Sequence, residues 1–177
     1  MRITISGPPG SGKTTVCREL SDILSLKAVV FGNIFREIAA ERKMTLSELG
    51  EIAEKDPSID EMIDSRILKI ARENDNIILE SRLSAYMLSR NSIPAFKIYL
   101  NASPEIRVAR IGARDNETLE QAYATTLERE ASEGKRYLQY YGIDINDTSV
   151  YDIIVNTDDK DPNEVVKEIL KAMDVNA

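Results

Sequence analysis

The run Arg2-Ile3-Thr4-Ile5-Ser6 leads without a break into Gly7-Pro8-Pro9-Gly10-Ser11-Gly12-Lys13-Thr14-Thr15, and a helical pattern begins at Val16. The spacing G-x-x-x-x-G-K-[ST], met by Gly7, Gly12, Lys13 and Thr14 between a strand and a helix, is a Walker A phosphate loop. Each residue type has a physical reason to be there. Glycines let backbone N–H groups converge on an anion, the helix N-terminus that follows adds partial positive charge, and the lysine ammonium reaches β- and γ-phosphate oxygens. The whole stretch from Gly7 to Thr15, with Pro8, Pro9, Gly10 and Ser11 between the motif positions, is expected to cradle a nucleoside triphosphate. The Thr14 hydroxyl is expected to complete the shell of Mg²⁺, which takes few protein ligands beside phosphate oxygens and water. The plainer alternative is a Gly/Ser surface loop carrying one lysine, and the flanking strand and helix argue against it.

Strand-like and helix-like segments then alternate, which implies a parallel sheet wrapped by helices, since parallel strands need crossover connections. After a helix over 14–25, Lys27–Phe31 reads as a second strand ending at Gly32, and Asn33–Lys43 carries apolar Ile34, Phe35, Ile38 and Ala39 at helical spacing. Thr45-Leu46-Ser47-Glu48 is a capping box that starts another helix. Pro57 opens one that runs through Ile63, Ile67 and Ile70. Asn76–Glu80 is an apolar run ending in a carboxylate, as a fully buried parallel strand would be. Ala95–Leu100 and Tyr151–Asn156 are the remaining strands. Helices are predicted from Pro104, over Leu119–Tyr141 and over Pro162–Met173.

A chain of 177 residues fits one domain able to bury about two thirds of its unfolded surface. Cys17 is the only cysteine, so an internal disulfide is excluded, and its place one turn into the first helix suits a small buried apolar residue. No run approaches the roughly 18 apolar residues of a membrane span, and the first residues are strand and phosphate loop instead of a signal peptide, so a cytosolic protein with no membrane partner is expected. A net charge of −7 argues against a broad surface that tracks nucleic-acid phosphates. Histidine is absent, which removes imidazole acid–base chemistry and the commonest zinc ligand.

In open α/β sheets ligands bind beyond the carboxyl ends of strands. Those positions hold the phosphate loop, then Gly32 and Arg36, then Glu80 and Arg82. Positions 82–136 carry seven of the thirteen arginines, whose planar forks grip phosphate bidentately. Arg107, Arg110 and Arg114 share a helix face by spacing, as do Arg129, Glu133 and Arg136. A solvated face is the bland account of either set. Phosphoryl transfer asks for positioning and charge neutralisation more than covalent chemistry, and a chain without histidine but with many arginines suits it. The D-x-x-G and N-K-x-D elements of a GTPase are not found.

The order phosphate loop, Gly32-Asn33-Ile34-Phe35-Arg36, Glu80-Ser81-Arg82-Leu83, Arg107-x-x-Arg110-Ile111-x-x-Arg114 and Arg129-Glu130-x-x-Glu133-x-x-Arg136-Tyr137 resembles the cytidylate kinases of the compact archaeal type, over nearly the whole chain. That resemblance implies an α/β P-loop kinase fold, a three-layer sandwich with a five-stranded parallel sheet. A helical acceptor-binding cap would span about residues 32–74 and a short arginine-bearing lid about 107–118, in a single domain over 1–177. It implies transfer of phosphate from ATP, with Mg²⁺, to CMP and also dCMP, by a monomer whose partners are these small nucleotides. Arg36, Arg82 and Arg129 would hold the acceptor phosphate, and Arg110 and Arg114, with Lys13, would serve the transferring group. Glu133 and Arg136 would face the acceptor ribose and phosphates, and Asn156 and Thr157 would begin the loop beside the donor adenine. Ser81 stands where that family places Gly, and the inserted domain of its larger bacterial members is missing. Kinases of adenylate, dephospho-coenzyme A and shikimate share the loop and lid, and a nucleotide-gated switch or an RNA-stimulated ATPase are further alternatives.

Overall fold

A computed structural model describes residues 1–174, so Val175–Ala177 of the expected domain lie outside the described residues. The elements run β1 (Arg2–Ser6), α1 (Lys13–Leu24), β2 (Lys27–Val30), α2 (Phe31–Glu41), α3 (Leu46–Ala53), α4 (Ser58–Glu73) and β3 (Ile77–Glu80). They continue with α5 (Ser84–Arg90), β4 (Phe96–Asn101), α6 (Pro104–Asp115), α7 (Leu119–Tyr141), β5 (Ile153–Asn156) and α8 (Pro162–Ala172). All pairings are parallel and the strand order is β2-β3-β1-β4-β5. The chain moves outward from β1 to one edge and later to the other, so the switch point lies at β1, and the phosphate loop leaves its carboxyl end there.

Alternation along the strands sorts the two faces. Ile3, Ile5, Ile78, Ile98, Leu100 and Val155 pack on one side with Val16, Cys17 and Leu20 of α1 and Val165, Val166, Ile169 and Leu170 of α8. Ile77 and Leu79 point to the other side, where Phe31, Ile38, Leu49, Ile59, Ile63, Ile67 and Leu88 cover them. Every residue of β3 is buried, which is why that strand shows an unbroken apolar run. Cys17 is buried within the first cluster, and burial, followed by the charge of Glu80, pushes its thiol up to about 12.

Local sequence fixes the helix ends. Thr45 Oγ1 accepts from the Glu48 N–H while Glu48 Oε2 accepts from the Thr45 N–H, and Thr118 with Gln121 and Asp161 with Glu164 form the same reciprocal caps on α7 and α8. α7 ends at Gly142, whose φ of 60° is the left-handed conformation favoured by glycine. Two features depart from the sequence expectation. β2 stops at Val30 and α2 begins at once with Phe31, so Gly32 lies inside the first turn of a helix and not in a loop. A seven-residue helix, α5, occupies the connection between β3 and β4.

Candidate phosphoryl-transfer site

The phosphate loop is shaped to expose backbone donors. Gly10 (φ 80°) and Gly12 (φ 91°) occupy the left-handed region, and a Cβ at Gly10 would lie 2.7 Å from the Arg107 carbonyl oxygen. No side chain caps α1, which leaves its first N–H groups facing outward. Lys13 Nζ donates to the Pro8 carbonyl at 2.9 Å. Burial lowers the Lys13 ammonium to about 8 against the pull of Glu80 and Glu133, with Arg82 and Arg129 adding to the depression. An amine held in that state gains its full charge when an anion arrives. The buried Ser11 hydroxyl has no hydrogen-bond partner among the described residues. Uncapped N–H groups, an underpaired ammonium and an orphaned hydroxyl fit a polyphosphate.

Thr14 Oγ1 donates to Glu80 Oε2 at 2.9 Å, so the last residue of β3 stands beside the loop threonine. A hydroxyl and a carboxylate are hard oxygen donors of the kind that suits Mg²⁺. Glu80 ends an otherwise apolar strand at its carboxyl edge. That signal was visible in the sequence, where Glu80 received no role.

Beyond the loop opens a cleft of about 540 Å³ walled by α1, α2, α4, α6 and α7. It gathers Lys13, Thr14, Gly32, Arg36, Arg82, Arg110, Arg114, Arg129, Glu133 and Arg136, so most of the expected positions meet in one place. Gly32 and Arg36 reach it from successive turns of α2. Arg36 has only a 3.4 Å contact with Asn33 Oδ1, and Arg129 has no hydrogen-bond or ion-pair partner among the described residues. Burial and the neighbouring charges of Arg114 and Arg129 push Arg36 down from the usual guanidinium value, with Asp115 and Glu80 opposing the shift only in part.

Other arginines are already engaged. Arg82 Nε donates to Glu133 Oε2 at 2.7 Å. Burial alone would raise Glu133, yet Arg82, Arg129, Arg136 and Lys13 outweigh it and hold the carboxyl below its ordinary value. Arg136 Nε donates to Asp60 Oδ2 at 2.7 Å, with the two side chains only 3% and 4% exposed. Arg136 Nη1 donates to Ser132 Oγ, and its guanidinium lies 5.5 Å from the Phe35 ring centroid. Gly50 of α3 makes room for this cluster, since a Cβ there would stand 3.3 Å from Ser132 Oγ.

Arg110 is anchored to the loop, donating to the Gly10 carbonyl at 3.3 Å and to Thr157 Oγ1 and O at 3.0 and 2.7 Å. Thr157, buried, donates in turn to the Ser11 carbonyl. Arg114 pairs with its neighbour Asp115 at 2.6 Å. Arg107 leaves the face it was expected to share. It is buried under the loop, donating to the Pro9 carbonyl at 3.1 Å and pairing with Glu130 at 2.6 Å. Gly112 is a packing position, because a Cβ there would meet the Glu117 carbonyl oxygen at 3.2 Å. Asn156 is exposed and its Oδ1 accepts from the Asp158 N–H, away from the cleft. Ser81, part of the cleft wall, uses its hydroxyl to accept from the Leu83 N–H and so forms the turn into α5.

Like Arg18 of α1, Asp60 and Asp64 of α4 are cleft residues that sequence reading missed. They share one helical face with Ile63 and Ile67, a 60-63-64-67 pattern that marks polar groups on a buried stripe. A second hollow of about 310 Å³ between α3 and α7 borrows Phe35, Arg129, Glu133 and Arg136, but it lies apart from the phosphate loop.

Sheet order, loop and cation-lined cleft define a P-loop kinase architecture. Among solved structures, the chain superposes on the shikimate kinase from Acinetobacter baumannii in complex with shikimate with a TM-score of 0.61 at 18% identity, covering 97% of this chain and 92% of that one, a likeness of fold. A shikimate kinase from Bacteroides thetaiotaomicron gives 0.63 at 15% identity, with 99% of each chain covered. A model of the cytidylate kinase-like family matches residues 2–159, and the chain belongs to that family. It is 47% identical over 169 residues to a cytidylate kinase of Sulfurisphaera tokodaii, covering 96% of this chain and 93% of the relative. A cytidylate kinase of Methanosphaerula palustris is 50% identical over 159 residues, 89% of each.

Proposed function

We propose that this protein transfers the γ-phosphoryl group of ATP to CMP, giving ADP and CDP. The observation that carries the reading is the meeting of Lys13, Arg36, Arg82, Arg110, Arg114 and Arg129 with the phosphate loop around one cleft. An oxygen of the CMP phosphate attacks the γ-phosphorus while the bond to the β–γ bridging oxygen breaks and its electrons leave with ADP. The nucleophile is already anionic, so no basic side chain has to take a proton from it. What the reaction needs is compensation of charge spread over the phosphoryl oxygens.

The loop N–H groups and Lys13 serve the donor phosphates. Arg36, Arg82 and Arg129 hold the acceptor phosphate, and Glu133 orients Arg82 through the 2.7 Å pair. Arg110 and Arg114 approach the transferring group from α6. Thr14 and Glu80 would hold Mg²⁺, which supplies charge neutralisation at the phosphates when bound. Helices α2–α4 act as the acceptor cap and the end of α6 with the start of α7 as the lid. Thr157 braces Arg110 against the loop on the side expected to face the donor base, whereas Asn156 takes no part.

The acceptor range includes dCMP. Glu133 and Arg136, expected beside the ribose, already have partners in Arg82 and Asp60, so a missing 2′-hydroxyl leaves no buried group unpaired. An assay coupled to ADP release with CMP, dCMP, UMP, AMP and shikimate tests the reading. Turnover that requires CMP or dCMP is expected, the two within about tenfold in kcat/KM. ATP hydrolysis indifferent to every acceptor, as a nucleotide switch would show, would contradict it.

A further inference from the structure

The phosphate chemistry leaves the end of the cleft beneath α4 without a purpose. Phe35, Ile63 and Tyr137 give it apolar and aromatic walls, and Asp60 and Asp64 stand there one helical turn apart. Two carboxylates so placed repel a phosphate, so the part of the ligand that enters must bring hydrogen-bond donors. Both oxygens of Asp60 are spoken for, since Arg136 donates to Oδ2 at 2.7 Å and to Oδ1 at 3.4 Å. Asp64 differs. It is 7% exposed, and its Oδ2 accepts from the Tyr141 hydroxyl at 2.9 Å. Its Oδ1 accepts no hydrogen bond from any described residue and, with Asp64 lining the cleft, is not sealed in the core. A carboxylate oxygen that is nearly buried and unpaired costs stability until a donor reaches it.

We propose that Asp64 Oδ1 accepts the exocyclic amino group of the acceptor's base, so that α4 distinguishes amino bases from oxo bases. The proposal rests on the phosphoryl-transfer reading and adds to it the residue that selects the acceptor. The 4-amino group of cytosine donates to Oδ1. Uracil carries a carbonyl oxygen at that position, whose lone pairs would face those of the carboxylate. Adenine offers an amino group on a larger ring, so Asp64 sorts amino from oxo and leaves the choice of ring size to the walls. Tyr141 fixes the carboxyl plane by holding Oδ2, which keeps Oδ1 aimed at one spot. Burial pushes the Asp64 carboxyl up to about 7, with Asp60 adding to the rise and Tyr141 and Arg136 opposing it. An arriving N–H donor favours the charged form.

The test compares CMP, UMP and the 4-deamino analogue of CMP as acceptors, with the unaltered protein and with Asp64→Asn and Asp64→Ala, by ADP release. In the unaltered protein at pH 8 and above, where the carboxyl is mostly ionised, loss of the amino group is expected to lower kcat/KM by about tenfold to a hundredfold, and UMP by more, since it also introduces a repulsion. Asp64→Asn is expected to raise UMP, because a carboxamide can turn its N–H₂ toward a carbonyl, and Asp64→Ala, which leaves no acceptor, is expected to bring CMP and the analogue within about threefold. Asp64→Leu replaces Asp64→Ala if the latter does not fold. Equal use of CMP and the analogue by the unaltered protein overturns the proposal, as does a preference for CMP over the analogue that survives removal of the carboxylate in Asp64→Ala. Failure of every monophosphate to accept phosphate overturns the transfer reading and the proposal together, a result distinct from equal use of CMP and the analogue.

Discussion

Between the sheet and the α1–α8 pair the chain buries Ile3, Ile5, Leu20, Leu100, Val155 and Ile169 with hardly a polar atom among them. Across the sheet, where α2, α4 and α7 roof the cleft, it buries Asp60, Asp64, Glu80 and Arg136, and gathers Arg36, Arg114 and Arg129 in one cleft with a partly buried Lys13. The first region is bound by apolar burial worth roughly 25 cal/mol per Å² and has nothing to offer a ligand. The second holds, beside the Asp60–Arg136 pair, cations such as Arg36 and Arg129 that lack a full partner, a state that costs stability and that a phosphorylated ligand completes. Stability and activity should therefore respond to different residues.

The largest effect expected falls on the one cleft contact that resembles the core in its completeness. Asp60→Ala leaves Arg136 buried without its partner and should cost roughly 3–5 kcal/mol in urea denaturation, while Asp60→Leu combined with Arg136→Met should recover most of that loss. A cost below about 1 kcal/mol would show that water reaches Arg136 and that the pair belongs to the open part of the cleft. On the apolar side, Leu20→Ala should cost about 2–5 kcal/mol and leave kcat per folded molecule within about twofold. A changed kcat would mean that α1 packing sets the loop geometry, blurring the division.

Asp64 should act in the opposite sense. Its carboxyl rises from 3.8 unfolded to about 7 folded, so the folded state binds the extra proton. The associated stability is fully present below about pH 4 and is lost as pH rises toward 7. Three pH units correspond to up to about 4 kcal/mol, so Asp64→Asn should stabilise the protein at pH 7 by as much as that, with the gain disappearing near pH 4. A gain independent of pH would place its origin in packing. Lys13 gives the smallest signal. With its ammonium lowered to about 8 in the free protein, nucleotide binding at pH 8 should take up about half a proton, seen in calorimetry as a dependence of the heat on buffer ionisation enthalpy. No uptake would mean that the phosphates do not approach Nζ.

The same division explains what the sequence disclosed. The phosphate loop, the capping box at Thr45 and the span of α7 over Leu119–Tyr141 are encoded by neighbours in the chain, and the structure has them where the residues indicate. α5 was illegible because a seven-residue helix with no side-chain cap has too few turns to display a period. It is held from outside, by Arg90 donating to the carbonyls of Tyr141 and Gly142. Helical spacing grouped Arg107 with Arg110 and Arg114. It could not show that Glu130, from the next helix, and the Pro9 carbonyl would draw Arg107 under the loop. Asp60 and Asp64 have no local sign of their burial because their partners, Arg136 and Tyr141, lie 76 and 77 residues away. Groups satisfied by distant partners are those that local pattern leaves hidden.

The central claim, that catalysis and stability reside in separate parts of this fold, is tested most directly by Lys13→Ala measured for both at once. Lys13 is a preorganised donor whose burial works against its own charge. Its replacement should lower kcat for phosphoryl transfer to CMP by on the order of a hundredfold or more, while the midpoint of thermal unfolding without nucleotide at pH 7 does not fall. A variant that keeps near-normal kcat, or one that loses activity only in step with its folded fraction, would contradict the account.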